Sequence, residues 1–343
     1  MRGRWLRAAA AMAVLAGTAM AVGGSTASAK DDGEGKKERS FTFAVIGDIP
    51  YGDAQIGEFP SRLGELNADP DVQLVSHLGD IKSGSSLCSD GYFTWVKQQF
   101  DKVEDPFVYT PGDNEWTDCH RANNGGYDPL ERLAALRSLF FPTPGRTLGV
   151  QPVRVDSQAA DGYVENVSFT RAGVAFAVPH IVGSNDSLAP WTGKTTPTPE
   201  QVNEVLGRTA ADVALIRDTF DRARDDHDRA VVILTQADMF DVTIPTPSYA
   251  DVFGFESIVK AIAHEAASFD GPVYLFNGDS HVANTDTPLA AGSKWLALYH
   301  LSSPVPNLRR TTIEGSTGDD EWSKVTVVPG RDVLDIRRVT FRT

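Results

Sequence analysis

The sequence predicts an α/β fold in which two packed β-sheets are flanked by helices. Strand-type runs of aromatic and branched residues alternate with segments of helical spacing through most of the chain. Several of these runs end in Gly-Asp followed by a polar loop, and stretches of strand character alone occur in the middle of the chain and at its end. Alternating elements favour a sheet covered by helices, and the added strands predict a second sheet packed on the first.

The first residues have the pattern of a secretory signal. Three arginines in the first seven residues precede the apolar stretch 8–22, and Ala27-Ser28-Ala29 matches the small-x-small cleavage pattern. The apolar stretch is shorter than the roughly 20 residues that a spanning helix needs, which favours a cleaved signal over a membrane anchor. The charged, glycine-containing segment that follows is predicted to be disordered. The predicted divisions are a signal peptide over 1–29, a leader over 30–40 and one domain over 41–343.

The acidic composition argues against nucleic acid as a partner. The formal net charge is −14, and it becomes −17 when the three signal arginines are removed. Nucleic-acid affinity rests largely on phosphate contacts made by Lys and Arg, so we expect no nucleic-acid binding. No stable membrane insertion is expected after signal cleavage. The sequence leaves the oligomeric state open.

Cys88 and Cys119 are the two cysteines of the chain. An exported chain meets oxidising conditions, in which a disulfide is favoured over two free thiols. A bond that closes a loop of this size would stabilise the fold by about 3–4 kcal/mol.

The first half of the predicted domain alternates strands with helices. The clearest helix is the one over 129–140, because Asp128 can cap it, Pro129 fits its first position and Pro142 follows its end. Strands are predicted over 41–46, 72–78 and 107–110, and helices over 60–67, 92–102 and 129–140.

The second half contains more strands. Arg171-Ala172-Gly173 predicts a hairpin turn, and Thr198, Pro199 and Gln201 form a capping signature for a long helix. Strands are predicted over 153–156, 163–170, 174–182, 231–235 and 273–276, helices over 199–226 and 255–267, and three or four antiparallel strands in the tail 295–341.

Four of the strand-type runs end in Gly-Asp. The runs FAVIGD, LVSHLGD, VYTPGD and VYLFNGD end at Asp48, Asp80, Asp113 and Asp279. Because the loops at the carboxyl ends of neighbouring strands meet in one crevice of an open α/β sheet, we expect these aspartates to lie together. Their carboxylates would repel one another unless a cation lay between them. The sequence therefore predicts a metal site.

In order and spacing, these motifs resemble those of the calcineurin-like metallophosphoesterases, whose signature is D-x-H, GD, GN-H-E/D, an isolated His and G-H-x-H. The resemblance implies an αββα sandwich of two mixed sheets flanked by helices. It also implies a metal-dependent hydrolase that cleaves a small anionic phosphomonoester or phosphodiester through a metal-activated water. The matching segments are Gly47-Asp48-Ile49-Pro50, Gly79-Asp80, Gly112-Asp113-Asn114-Glu115, Gln236 and Gly278-Asp279-Ser280-His281.

The resemblance implies two metal positions that share one bridging carboxylate. Asp80 would be the bridge, and Asp48 and His281 would complete the first position. Asp113, Gln236 and Asp279 would complete the second position.

Several motif positions depart from the family pattern. Pro50 stands at the position of a ligand histidine, and its ring nitrogen cannot bind a metal. Asp113 replaces an asparagine, while Gln236 and Asp279 replace histidines. The ligand set has moved from nitrogen to oxygen, which favours Mn, Mg, Ca or Fe over Zn. One or two divalent ions are predicted.

Asn114 occupies the position of the catalytic histidine of the family. An amide can donate a hydrogen bond but cannot donate a proton in catalysis. His120 follows Cys119 in the same loop and is a second candidate for that role. A shift of one residue in the match would make Asn114 the metal ligand and leave Asp113 as a turn residue. Both assignments remain open from the sequence.

Other polar residues of the motif loops are candidates for substrate contacts. Tyr51, Lys82 and Arg121 lie in these loops and are suited to an anionic ligand. His77 lies inside a predicted strand, where a packed side chain is expected rather than a ligand.

Two other functions compete with the hydrolase. Pro50 and Asn114 in place of histidines fit a catalytically impaired protein that uses the fold to bind a metal or a ligand. The segment Gly278-Asp279-Ser280 also matches the nucleophile motif of the GDS-type esterases. In those enzymes the motif stands near the amino terminus and an Asp-x-x-His follows, whereas here it comes late and none follows. The sequence therefore favours a metal-dependent hydrolase over a serine esterase.

Overall fold

Two mixed β-sheets flanked by helices form the fold, as the sequence predicts. The computed structural model describes residues 40–316 and 320–342. The predicted signal peptide and residues 30–39 of the predicted leader lie outside these ranges. Within them, none of the helices has the length and apolar character that crossing a membrane requires.

The strands are short and mostly buried. Their bounds are β1 Thr42–Ile46, β2 Val72–His77, β3 Phe107–Tyr109, β4 Asp156–Gln158, β5 Tyr163–Arg171, β6 Val174–Val178, β7 Ala230–Leu234, β8 Val273–Asn277, β9 Asn284–Asp286, β10 Leu308–Thr312, β11 Glu321–Val327 and β12 Leu334–Thr340.

The two sheets differ in size but share one design. The first has the order β12-β11-β1-β2-β3, with β1, β2 and β3 parallel and the last two strands of the chain added antiparallel. The second has the order β4-β5-β6-β7-β8-β10-β9. Its strands β6, β7, β8 and β10 are parallel, and antiparallel strands close both edges. Each sheet therefore contains a run of parallel strands, whose loops gather at one end.

Helices cover the outer face of each sheet. Pro129–Phe140 has the predicted bounds, and Asp128 caps its first turn. Pro199–Asp225 carries the predicted capping box between Thr198 and Gln201. The helices are Gly52–Ala68, Asp90–Phe100, Pro129–Phe140, Pro199–Asp225, Tyr249–Val252, Glu256–Ala267 and Lys294–Leu298.

Three hydrophobic clusters separate the four layers. One lies between the sheets, where Phe43 of β1 meets Phe176 of β6 edge to face. A second joins the first sheet to the helices Gly52–Ala68, Asp90–Phe100 and Pro129–Phe140. The third joins the second sheet to the helices Pro199–Asp225 and Glu256–Ala267. This layering is the αββα arrangement that the sequence predicts.

Some predicted boundaries are wrong. The first helix begins at Gly52 rather than at residue 60, and Pro60 lies inside it with its ring on the exposed side. Phe59, Leu63 and Leu66 continue one buried stripe past the proline, so burial outweighs the lost backbone hydrogen bond. The predicted strand 153–156 is mostly loop, and β4 starts at its last residue.

The tail is only partly antiparallel. Residues 294–298 form a helix rather than a strand, and Trp295 packs with Phe240 and Tyr299. Strand β10 pairs parallel with β8, and only β11 and β12 form the predicted antiparallel pair. The apolar run WLALY is short enough to suit either helix or strand, and its packing against this cluster decides for the helix.

Candidate metal centre

The aspartates of the four Gly-Asp motifs stand just beyond the carboxyl ends of parallel strands. Asp48 follows β1, Asp80 follows β2 and Asp113 follows β3, all in the first sheet. Asp279 follows β8 of the second sheet, and Gln236 follows its neighbour β7. The crevice between the two sheets therefore receives all five side chains.

These side chains form two groups that share one carboxylate. In the first group, ligand atoms of Asp48, Asp80 and His281 lie within 4.8 Å of one another. In the second group, those of Asp80, Asp113 and Asp279 do the same. Asp80 belongs to both groups, which is the arrangement expected for a carboxylate shared by two cation positions.

Asp80 is held by hydrogen bonds from two directions. Its Oδ2 accepts from the Tyr51 hydroxyl at 3.0 Å and from the Asn114 side-chain amide at 2.7 Å. Its Oδ1 accepts from the Asn114 backbone N–H at 3.1 Å. The amide of Asn114 also donates to the Tyr51 oxygen at 2.8 Å. Asn114 is thus packed against the shared carboxylate.

Asp113 belongs to the second group, and Gln236 contacts it. The Gln236 amide donates to Asp113 Oδ1 at 3.1 Å, and the Gln236 carbonyl oxygen accepts from the Gly183 N–H at 2.6 Å. Gln236 therefore contacts both Asp113 and the segment that begins at Gly183, while Asn114 contacts Asp80. The ligand roles of Asp113, Asn114 and Gln236 stay predictions.

His281 is the imidazole of the site. Its Nε2 lies 3.3 Å from Asp48 Oδ1, its ring stands edge-on to Tyr51, and 35% of its side chain is exposed. Asp48 is fully buried and also accepts from the Asp279 backbone N–H at 3.0 Å. The first group thus opens to solvent on the histidine side.

The backbone of the site is unusual at the predicted ligands. Asp48, Asp80, Asp279 and His281 have φ angles of 53°, 55°, 74° and 57°. This left-handed region is uncommon for residues other than glycine, and strained backbone of this kind clusters at functional sites. Neighbouring glycines give the carboxylates room, because a Cβ on Gly278 would lie 2.0 Å from Asp48 Oδ2.

Burial and mutual repulsion both disfavour charge on these carboxyl groups. Burial raises the pKa of Asp48, Asp80 and Asp279, for the last two well above the usual range. The charge of Asp113 raises all three pKa values further. Without a cation, these carboxylates destabilise one another.

The nearest basic side chains do not neutralise the groups. Lys82 is buried, and its ammonium donates to the backbone oxygen of Asn114 at 2.7 Å. Burial lowers the pKa of Lys82 to about 8. Arg121 pairs with Asp118 at 2.7 Å and is 42% exposed. Among the described residues, neither cation forms an ion pair with an aspartate of the two groups.

The donor set fits divalent cations that prefer oxygen. The two groups offer four carboxylates and one imidazole, and nearby polar groups already orient Asp80 and Asp113. Carboxylate-rich sites suit Mg, Mn and Ca, whereas zinc sites commonly contain Cys or several His ligands. A buried set of like charges is also the kind of site that a cation stabilises.

His120 belongs to neither group. Its Nδ1 accepts from the Thr192 backbone N–H at 2.9 Å, and its ring lies beside Trp191. The position of His120 therefore offers no direct contact with the shared carboxylate in this structure. His77 is buried among aromatic rings and its Nε2 contacts the Ile49 carbonyl at 2.9 Å, as expected for a packed strand residue.

One segment over the site has no counterpart in the sequence predictions. The segment 183–187 passes directly over the second group, and the Ser184 hydroxyl lies 3.0 Å from Asp113 Oδ2. Glu115 is fully buried beneath the site, where its Oε1 accepts from the N–H groups of Asp80 and Gly112. Burial raises the pKa of Glu115 to about 7. The motif position of Glu115 indicates either a partner of the metal ligands or a residue that caps a turn, whereas no sequence motif marks Ser184.

The predicted disulfide between Cys88 and Cys119 is present. The two sulfur atoms lie 3.6 Å and 3.7 Å from the backbone oxygen of Asn114, the same oxygen that Lys82 contacts. The disulfide therefore ties the loop after β2 to the loop after β3 immediately behind the shared carboxylate.

Comparison with known proteins gives similarities of shape alone. No family model and no curated protein matches the sequence. GAP50, the anchor in the inner membrane complex of Plasmodium, has a TM-score of 0.44 and 8% identity over 89% of this chain and 90% of its own. A 5′-nucleotidase precursor from Thermus thermophilus has a TM-score of 0.43 and 10% identity over 88% of this chain and 54% of its own. This chain thus spans about half of the nucleotidase. At TM-scores below 0.5, neither similarity assigns a family or a function to this chain.

Proposed function

We propose that this protein is a secreted, metal-dependent phosphoesterase that hydrolyses a phosphomonoester or phosphodiester. The observation that carries the proposal is Asp80, whose carboxylate is shared by two groups of potential ligands. The order of the motifs, which resembles that of the calcineurin-like metallophosphoesterases, supports the same reaction class. The disulfide and the signal pattern of the first residues support secretion.

Asp48, Asp80 and His281 would hold one cation, and Asp80, Asp113 and Asp279 a second. Cations held there would lower the pKa of a water molecule to supply a nucleophile, and would neutralise charge on the phosphate oxygens. Gln236 orients Asp113, and Tyr51 and Asn114 orient Asp80. Water enters from the side on which His281 is exposed.

Arg121 would supply a cation on the substrate side of the site. Its guanidinium is partly exposed and pairs with Asp118. Arg121 and Asn114 both border the space beside Gly84, where a Cβ would be 2.8 Å from Asn114 Oδ1 and 3.5 Å from Arg121 Nη1. An exposed guanidinium suits a phosphate oxygen. The Asn114 amide replaces the family histidine as a hydrogen-bond donor, not as a proton donor.

A second candidate function is metal binding without turnover. It is favoured by the contacts of Asn114, whose amide is already engaged with Tyr51 and Asp80. Within the described residues, no imidazole belongs to the second group. A protein of this kind would hold a cation or a ligand in the crevice without supplying a proton to a leaving group.

One experiment separates the two candidates. The purified protein is freed of metal with a chelator and assayed with nitrophenyl phosphate and bis(nitrophenyl) phosphate, alone and with Mn²⁺, Mg²⁺ or Ca²⁺. We expect metal-dependent turnover that Asp80→Asn abolishes and that the exposed control Asp270→Asn retains. Stoichiometric metal binding without turnover on either ester would refute the enzyme and support the binding protein. Metal-free ester hydrolysis that Ser280→Ala abolishes would instead support a serine esterase.

A further inference from the structure

A left-handed turn of the backbone lies over the second group. Ser184, Asn185, Asp186 and Ser187 have φ angles of 51°, 57°, 54° and 68°. The Ser187 N–H donates to the Gly183 carbonyl at 3.1 Å, so the segment closes one turn of left-handed helix. Residues with a Cβ disfavour this conformation, and it normally occurs at single positions. Four such residues in a row require an explanation outside the segment.

Buried contacts hold this turn in place from outside the segment. Arg208 of the helix Pro199–Asp225 pairs with Asp186 at 2.6 Å, both side chains being fully buried, and donates to the Asp186 carbonyl at 3.0 Å. Thr117 shares a hydrogen bond with Ser187 at 2.6 Å. These contacts fix both the middle and the end of the turn, so its conformation is imposed by the tertiary structure.

The turn places two residues against the second group. A Cβ on Gly183 would lie 2.7 Å from Asp279 Oδ1 and 2.8 Å from Asp113 Oδ2. Only glycine therefore allows the backbone to lie this close to the two carboxylates. The Ser184 hydroxyl lies 3.0 Å from Asp113 Oδ2 and 3.0 Å from Asp118 Oδ1. Arg121 pairs with the other oxygen of Asp118, Oδ2, so the hydroxyl lies between two carboxylate oxygens. Among the described residues, Asp113 forms no ion pair with a basic side chain.

We propose that Ser184 is a positioning residue for the second cation position, and that the left-handed turn places its hydroxyl there. The inference rests on the proposed function. Gln236 fixes Asp113 Oδ1 and Ser184 fixes Asp113 Oδ2, so the carboxylate is presented to the cation in one orientation. Partners that orient ligating carboxylates are worth about 10- to 100-fold in metal affinity or activity.

Two substitutions of Ser184 separate the hydroxyl from the backbone strain. Ser184→Ala removes the hydroxyl and keeps a Cβ at positive φ, whereas Ser184→Gly removes the hydroxyl and relieves the strain. We expect both variants to bind the second cation about 10- to 100-fold more weakly and the first cation as the wild type does. In the metal-free state, Ser184→Gly should melt at a higher temperature than Ser184→Ala. Titration calorimetry with Mn²⁺ and thermal melting measure the two effects independently of activity.

Two further variants complete the test. Ser184→Thr keeps the hydroxyl and should retain the affinity for the second cation, even with a lower melting temperature caused by its branched Cβ. Ala172→Gly relieves a positive φ of 52° in the hairpin between β5 and β6 and should leave both affinities unchanged. Wild-type affinity for both cations in Ser184→Ala and Ser184→Gly would refute the positioning role while the proposed function stands. A wild-type protein that binds no cation would overturn the proposed function itself.

Discussion

Replacement of Asp80 by Asn distinguishes a shared carboxylate from an ordinary ligand. Asn keeps the size of the side chain and tolerates the φ of 55° at this position. It removes the charge that both groups of ligands have in common. Because burial and the charge of Asp113 raise the pKa of Asp80 well above its usual range, the metal-free variant should be more stable than the metal-free wild type.

The magnitude follows from mass action. A cation present at 100 times its dissociation constant stabilises the native state by about 2.7 kcal/mol, so two cations contribute about 5 kcal/mol. At about 2–4 °C per kcal/mol for large domains, the wild type should gain about 10 °C or more in melting temperature. Asp80→Asn should lose the whole gain. Asp113→Asn, which removes a ligand of the second group alone, should lose about half of it.

The assay is thermal melting by circular dichroism across a series of Mn²⁺ or Ca²⁺ concentrations, with metal content measured in parallel. Asp270→Asn serves as the control for an exposed aspartate and should behave as the wild type. A metal-induced shift in Asp80→Asn equal to that of Asp113→Asn would show that Asp80 serves one position only. An unchanged shift in Asp80→Asn would refute the metal centre.

Three further predictions concern the fold around the site. Burial lowers the pKa of His77 to about 4. As the pH falls, the unfolded chain therefore takes up a proton near pH 6.5, before the native state does. The free energy of unfolding should fall by about 3 kcal/mol between pH 6.5 and pH 4. Chemical unfolding of His77→Gln should lose less over that range, and the exposed control His264→Gln should follow the wild type. Reduction of the disulfide, which spans 31 residues, should cost about 3–4 kcal/mol in the same assay, and no change on reduction would contradict its stabilising role. Gly183→Ala should weaken binding of the second cation, because the added Cβ has no room beside Asp113 and Asp279. The control Gly64→Ala lies on an open helix face and should stabilise the fold by up to about 1 kcal/mol. Equal metal affinity in the two variants would argue against close approach of the backbone at Gly183.

The layered arrangement of sheets and helices, and the clustering of the four aspartates, can be predicted from local sequence patterns. Each Gly-Asp motif comes directly after a buried strand, and parallel strands bring their carboxyl ends together whatever lies between them in sequence. The disulfide was predictable for a similar reason, since the chain has two cysteines in neighbouring loops. The register of Gly112-Asp113-Asn114, by contrast, does not follow from the sequence, because both polar residues fit a strand-end loop.

The left-handed turn and the helix Lys294–Leu298 were not predictable from local patterns. The conformation of Asp186 depends on Arg208, which lies 22 residues away in the chain. The segment Lys294–Leu298 forms a helix because Phe240 and Tyr299 pack against the side chain of Trp295. In both places long-range contacts override local preference, and neither leaves a periodic signal in the sequence.

The position of the disulfide has a practical consequence for work with this protein. Both sulfur atoms stand behind Asn114, and the bond is the covalent link between two loops that carry the carboxylates. In a cytosol kept reducing by glutathione, the same chain would keep two thiols at this place. Recombinant protein made in such a host would hold these loops by packing and hydrogen bonds without the covalent link, and its affinity for cations would understate that of the oxidised form. Production in an oxidising compartment, with a thiol count before each titration, makes metal measurements comparable between preparations.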